Sequence, residues 1–185
     1  FIRIAQRLAQ AGLNVPVIFA QDTGQGFMML SDLGTQTYYE AIQDGLDGAA
    51  LQTRYRQVLL ALARMQQVDT DDLPDYDQAR LLAELELFSE WYVKTHCGVE
   101  LDDTQRGMLD QTFQMLTADN ARQPRVFVHR DFHSPNLMMN PAGEHEQPGI
   151  IDFQDALAGP ISYDIASLVM DARTTWQEEQ QLDWA

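Results

Sequence analysis

The sequence predicts an α+β chain, and two observations carry that reading. Long apolar stripes at helical spacing fill its middle, and short apolar runs bounded by turn residues gather towards its C-terminal third. With 185 residues, 45% of them hydrophobic, one sizeable core and a small appendage can be buried.

The elements follow in order. Phe1, Ile4, Ala5, Leu8 and Ala11 recur at helical spacing, and Gly12 stands where a C-terminal cap belongs. Val15 to Ala20 reads as an edge strand, because Pro16 cannot donate to a ladder. Asp22 to Gly26 is turn chemistry, and Phe27 to Leu30 is the returning strand. Three helical stripes come next, each expected to pack as core. The first holds Leu51, Tyr55, Val58, Leu59, Leu62 and Met65, and the second Leu81, Leu82, Leu85, Phe88, Trp91 and Tyr92. The third holds Met108, Leu109, Phe113 and Leu116, with Asp102 or Asp103 as its N-cap. The acidic run Asp69 to Asp77, broken by Pro74, reads as a solvated loop. Val126 to Val128, Leu137 to Met139, and Ile150 with Ile151 read as small buried strands, with Pro135, Asn140-Pro141 and Gly143 as turn residues. Gly159-Pro160 is expected to open a helix carrying Ile161, Ile165, Ala166, Leu168 and Val169, and Trp176 to Ala185 is polar and acidic.

Charge and cysteine usage narrow the function. Twelve basic against 28 acidic residues give a formal charge of −16, which argues against nucleic acid or an anionic membrane as partner. The single cysteine, Cys97, cannot form an internal disulfide, and no apolar run reaches membrane-spanning length. A cytoplasmic setting is the expectation.

The short strands converge on a polar cluster. His129-x-Asp131 is followed by Asn136, and Asp152 opens an Asp-Phe pair with Phe153. Asn136 and Asp152 offer a carbonyl and a carboxylate, hard oxygens that suit Mg²⁺. Asp131 lies in the same loop, free to accept the proton of an attacking hydroxyl. That division of labour is the one phosphoryl transfer uses. Taken separately, Asn136 is also a good turn residue after Pro135, and Asp152 a good strand-end cap. His129, ending an apolar strand, reads as a structural brace. A zinc site on His129 and His133 would need a helix there, which Pro135 opposes. Asp155 is placed to touch acceptor hydroxyls or, equally, to cap a turn. Trp91 and Tyr92 fit packing better than a sugar pocket.

His129-Arg-Asp-Phe-His-Ser-Pro-Asn-Leu-Met138 resembles the catalytic loop of the aminoglycoside phosphotransferase and choline kinase-like family, whose fold is protein-kinase-like. Ile151 to Leu168 is similar, more narrowly, to the branch that phosphorylates the anomeric hydroxyl of N-acetylmuramate and N-acetylglucosamine in cell-wall recycling. The resemblance implies an ATP- and Mg²⁺-dependent phosphotransferase with a small-molecule amino sugar as acceptor. It implies that residues 1–34 end a small lobe and include the link to a helical lobe of residues 35–185. That lobe would carry the catalytic loop 129–136 and the metal-binding pair 152–153. Leu30, Ser31 and Leu33 would grip adenine along the link, His133 would line the acceptor side, and Asp164 would brace the catalytic loop through its backbone. It also implies a Gly-rich phosphate loop and a strand lysine ahead of Phe1, since Gly24-Gln-Gly26 comes too late in the order, and further acceptor-pocket helices after Ala185. An acidic lobe suits a cationic aminoglycoside or choline as well, and a non-catalytic, pseudokinase-like binding module is the remaining alternative. For a muramate carboxylate, Arg130, Arg173 and Lys94 are the candidate partners.

Overall fold

The computed structural model describes residues 1–140 and 147–185. The turn residues Pro141 and Gly143 lie outside the described residues. Helix α1 (Ile2–Gln10) buries Ile4, Ala5 and Leu8 on one face, and Gly12 follows it at φ +75°, a conformation that favours glycine. Strands β1 (Ile18–Asp22) and β2 (Phe27–Leu30) form an antiparallel hairpin. The first strand therefore starts later than Val15. Val15 is buried in the core, Pro16 has no N–H, and the Val17 N–H is taken by Ser31 Oγ at 2.8 Å.

Helix α2 (Tyr38–Gln43) was not anticipated, although Thr37 and Glu40 form a reciprocal capping box ahead of it. Helix α3 (Gly48–Met65) buries the first stripe as expected, with Leu59 half-buried. Helix α4 (Gln78–Leu87), capped by Asp77, runs on into a π-helical segment, Phe88–His96. Helix α5 (Asp103–Ala121) is capped by Asp102 in a box with Gln105.

The second and third stripes are not core along their length. Leu81 and Phe113 are buried, but Phe88, Trp91, Tyr92, Met108 and Leu116 are exposed. The wider π winding rotates residues set at 3.6-residue spacing away from the α4–α5 contact. Phe88, Tyr92 and His96 stack on one another at the surface instead. The acidic run also differs from a solvated loop. Leu73 and Tyr76 are buried, and Asp72 pairs with Arg3 at 2.8 Å and Arg7 at 2.5 Å.

Among the described residues the later strands form two more antiparallel ribbons. Strand β3 (Arg125–Val128) pairs with β6 (Leu157–Pro160), and β4 (Leu137–Met138) with β5 (Gly149–Ile150). Gly159-Pro160 thus ends a strand rather than opening a helix. Ala158 is bonded to Pro74 and Tyr76 on the edge away from β3, which fixes the segment as extended. A Cβ on Gly159 would stand 2.8 Å from Tyr76 Cβ, so the approach requires glycine. Helix α6 (Tyr163–Val169) begins three residues beyond Pro160. The acidic tail carries helix α7 (Glu178–Trp184), whose Trp184 is buried against Tyr55 at 4.1 Å and donates its indole N–H to Gln52.

One core joins these pieces: Leu8 of α1, Tyr55 and Val58 of α3, Phe127 of β3, Ile150 of β5 and Leu168 of α6 belong to a single buried cluster. Each such side chain contributes about 1.5–3 kcal/mol by burial. Phe132 and Phe153, both in the polar stretch, are fully enclosed in that cluster. The core thereby sets the positions of their neighbours Asp131 and Asp152.

Candidate active site

The loop after β3 is held from beneath by a carboxylate. Asp164, on α6, accepts the backbone N–H of His129 at 2.7 Å and that of Arg130 at 3.1 Å. Burial pushes its carboxyl up to about 7, while the two N–H donors pull the other way. His129 is fully buried, and its Nε2 meets the Ile151 carbonyl at 2.9 Å. Burial lowers its pKa to about 4, against the opposing pull of that carbonyl and of Asp131 and Asp152. The ring is therefore neutral at pH 7, with Nε2 as donor, and it ties the Asp131 loop to the strand that delivers Asp152.

Arg130 turns its backbone into the left-handed region at φ +80°. Its guanidinium points away from Asp131 and reaches Glu84 at 3.2 Å, a carboxylate that also accepts the Tyr76 hydroxyl. Asp131 is left with a half-exposed side chain, open to solvent and to an incoming hydroxyl.

Asn136 closes the one-turn 3₁₀ helix Ser134–Asn136. Its Nδ2 donates to the Asp131 carbonyl at 2.9 Å and to Asp152 Oδ2 at 3.3 Å. With the nitrogen so engaged, Oδ1 is the atom the carboxamide offers to a ligand. Asp152 sits at φ +66° and receives Gln154 Nε2 on its other oxygen at 2.7 Å. Behind it, the Phe153 ring stacks on Phe1 with centroids 5.0 Å apart. One amide oxygen and one exposed carboxylate make a hard-oxygen donor set, which fits Mg²⁺ completed by water and phosphate. Among the described residues no three His, Cys, Asp or Glu side chains gather as a metal cluster.

The remaining sequence candidates are placed as follows. Leu30 ends β2 opposite Ile18, and the Ser31 amide donates to the Val17 carbonyl at 2.9 Å. Leu33 packs over Gly149, where a Cβ would come within 3.1 Å of its Cδ1, so the link lies against the strand leading to Asp152. His133 has Nε2 3.9 Å from Asp131 Oδ1, beyond hydrogen-bond range, and a buried Nδ1 without a partner among the described residues. Asp155 is exposed in a turn and caps no helix. Arg130, Arg173 and Lys94 each already face a carboxylate, those of Glu84, Asp171 and Glu90.

Sequence reasoning missed Glu84, Ser134 and Asp171. Asp171 is buried and accepts the Ser134 hydroxyl at 2.6 Å. Burial raises its pKa, but the bonds from Ser134 and Arg173 outweigh it and hold the carboxyl below the usual range. No local pattern marks it, because Asp171 lies beyond the end of α6 and its partner Ser134 stands 37 residues earlier.

A helix-rich lobe presenting an Asp131–Asn136 loop beside an Asp-Phe pair on short antiparallel ribbons is a protein-kinase-like phosphotransferase fold. Solved structures agree. An ADP-bound aminoglycoside phosphotransferase, APH(2'')-Ib, superposes with a TM-score of 0.64 at 15% identity, over 99% of this chain and 64% of that one. A choline/ethanolamine kinase family protein from Mesorhizobium loti gives 0.61 at 13%, over 96% and 56%. The chain belongs to the phosphotransferase enzyme family, whose sequence profile matches residues 1–185. It is 42% identical over 179 residues to an N-acetylmuramate/N-acetylglucosamine kinase of Pseudomonas aeruginosa, covering 96% of this chain and 51% of the relative. The enzyme of the same name from Neisseria meningitidis is 40% identical over 172 residues, 92% of this chain and 50% of the relative. The chain spans about half the length of these curated relatives. No helix among the described residues is long and apolar enough to cross a membrane.

Proposed function

We propose that this chain carries the catalytic loop of an ATP- and Mg²⁺-dependent kinase for the anomeric hydroxyl of N-acetylmuramate or N-acetylglucosamine, working in the cytoplasm. The observation that carries the reading is the Asn136 carboxamide, which bridges the Asp131 carbonyl and the Asp152 carboxylate. The names of the relatives support the amino-sugar acceptor.

In this reading Asp131 orients the acceptor hydroxyl and takes its proton as the oxygen attacks the γ-phosphorus and the bond from that phosphorus to departing ADP breaks. Asn136 and Asp152 would hold Mg²⁺, which would supply positive charge against the phosphate oxygens. Leu30, Ser31 and Leu33 face adenine, with residues 1–34 ending the small lobe and residues 35–185 forming the helical lobe. His133 and Asp155 face the acceptor. His129 and Asp164 act through the backbone by fixing where Asp131 stands. The contribution is mainly positioning and preorganised charge, the kind of effect that supplies most of a phosphoryl-transfer rate.

The test is ADP release by the full-length natural chain with Mg-ATP and a panel of N-acetylmuramate, N-acetylglucosamine, glucose, kanamycin and choline. Phosphate on an N-acetyl amino sugar, released again by mild acid as a glycosyl phosphate should be, is the expected result. Turnover only with kanamycin or choline would refute the acceptor, and none with any member would favour a non-catalytic binding module.

A further inference from the structure

The loop is clamped at two ends by one short helix. Asp164 holds its start through the N–H groups of His129 and Arg130. Asp171, just past the end of α6, holds its later half. The Asp171 side chain is fully enclosed, and its Oδ2 accepts the Ser134 hydroxyl at 2.6 Å and the Ser134 N–H at 3.3 Å. Its Oδ1 accepts the Arg173 N–H at 3.0 Å and the Arg173 guanidinium at 3.4 Å.

Four donors on one enclosed side chain call for a group that only accepts. A carboxylate meets that demand, whereas an amide would turn its NH₂ towards two of the donors. The arrangement also offsets the cost of burying a charge, because both oxygens are bonded and Arg173 brings the opposite sign. Ser134 is the first residue of the 3₁₀ turn whose third is Asn136, and the Asn136 N–H closes that turn on the His133 carbonyl at 3.0 Å. Fixing Ser134 at both its hydroxyl and its amide therefore fixes the turn from which the Asn136 carboxamide projects.

We infer that Asp171 is a positioning residue for the divalent cation, acting through Ser134 to aim Asn136 at Asp152. The inference rests on the reading of Asn136 and Asp152 as the metal pair. An outer partner bonded directly to a metal ligand is worth about 10- to 100-fold in metal affinity, and Asp171, acting one residue further out through Ser134, is expected at the lower end.

The experiment is Mn²⁺ binding, followed by the paramagnetic resonance of free Mn²⁺, in the full-length natural chain with a non-hydrolysable ATP analogue. Asp171→Ala and Ser134→Ala should each weaken Mn²⁺ binding about 10-fold or more, with Asp171→Asn in between. Affinity for the analogue without metal and the far-ultraviolet dichroism should stay at wild-type values. If Asp171→Ala does not fold, Ser134→Ala decides alone, since it removes one hydroxyl and leaves the carboxylate with Arg173. Unchanged Mn²⁺ affinity in a folded variant would overturn the inference, as would a parallel loss of metal and metal-free nucleotide, which a merely structural role produces. Absence of Mn²⁺ binding in the wild type would instead overturn the metal assignment itself, and the inference with it.

Discussion

Replacing Asp152 by glycine is expected to leave the fold at least as stable while ending turnover. The residue stands at φ +66°, where a side chain costs about 1–2 kcal/mol and glycine costs nothing. Against that relief, glycine adds about 0.5–1 kcal/mol of backbone freedom to the unfolded chain. The Gln154 and Asn136 contacts are also lost, but both lie at the surface and contribute a few tenths of a kcal/mol at most. The net change falls between about zero and +1 kcal/mol. Asp152→Ala loses the same contacts yet keeps the strained backbone, so it should fall about 1 kcal/mol below the glycine variant. For a domain of this size that gap is about 2–4 °C in Tm. Thermal unfolding of the two variants beside the wild type measures it, with ADP release as the second readout and no turnover expected from either. A glycine variant melting at or below the alanine variant would refute the strain argument. Turnover surviving in both would refute Asp152 as a metal carboxylate.

Other perturbations test the remaining supports. Asp164→Ala strands the buried His129 N–H and the half-buried Arg130 N–H and should cost about 2–4 kcal/mol, read as a lower urea midpoint; a loss under about 1 kcal/mol would contradict the bracing geometry. The pH dependence of stability should expose two opposed groups. His129, lowered from 6.5 to about 4, contributes stability that is lost as pH falls through that window. Asp164, raised from 3.8 to about 7, binds its proton more tightly when folded, so its contribution grows as pH falls over nearly the same range. The wild-type slopes should partly cancel. Asp164→Asn should steepen the loss on acidification by up to about 1.4 kcal/mol per pH unit, and identical slopes in the two proteins would contradict this. Gly159→Ala drives a methyl group into Tyr76 and should cost about 1–3 kcal/mol, seen as a lower Tm without any change in metal affinity.

The cluster of Asp131, Asn136 and Asp152 was legible because its members lie close together in the chain. Asp131, Asn136 and Asp152 sit at the ends of short apolar runs, and the period-2 and turn signals around them are local. The first helical stripe was equally readable, since Leu51 to Met65 has one uninterrupted face. What failed depended on distant partners. Gly159-Pro160 looks like a helix opening until Tyr76, far away in the chain, presses against it and β3 pairs with it. Phe88, Trp91 and Tyr92 look like core until the winding changes from α to π and carries them outwards. Asp171 was overlooked because its meaning comes from Ser134, 37 residues earlier. Helix α2 was a plain omission, since its Thr37–Glu40 box is a local signal.

The ring stack between Phe1 and Phe153 gives the first helix a purchase on the candidate site. Phe153 follows Asp152 directly, and Asp152 already holds a backbone torsion that only its surroundings keep in place. Covering Phe153 with Phe1 therefore lends the positive-φ backbone at Asp152 a support that comes from the opposite end of the chain.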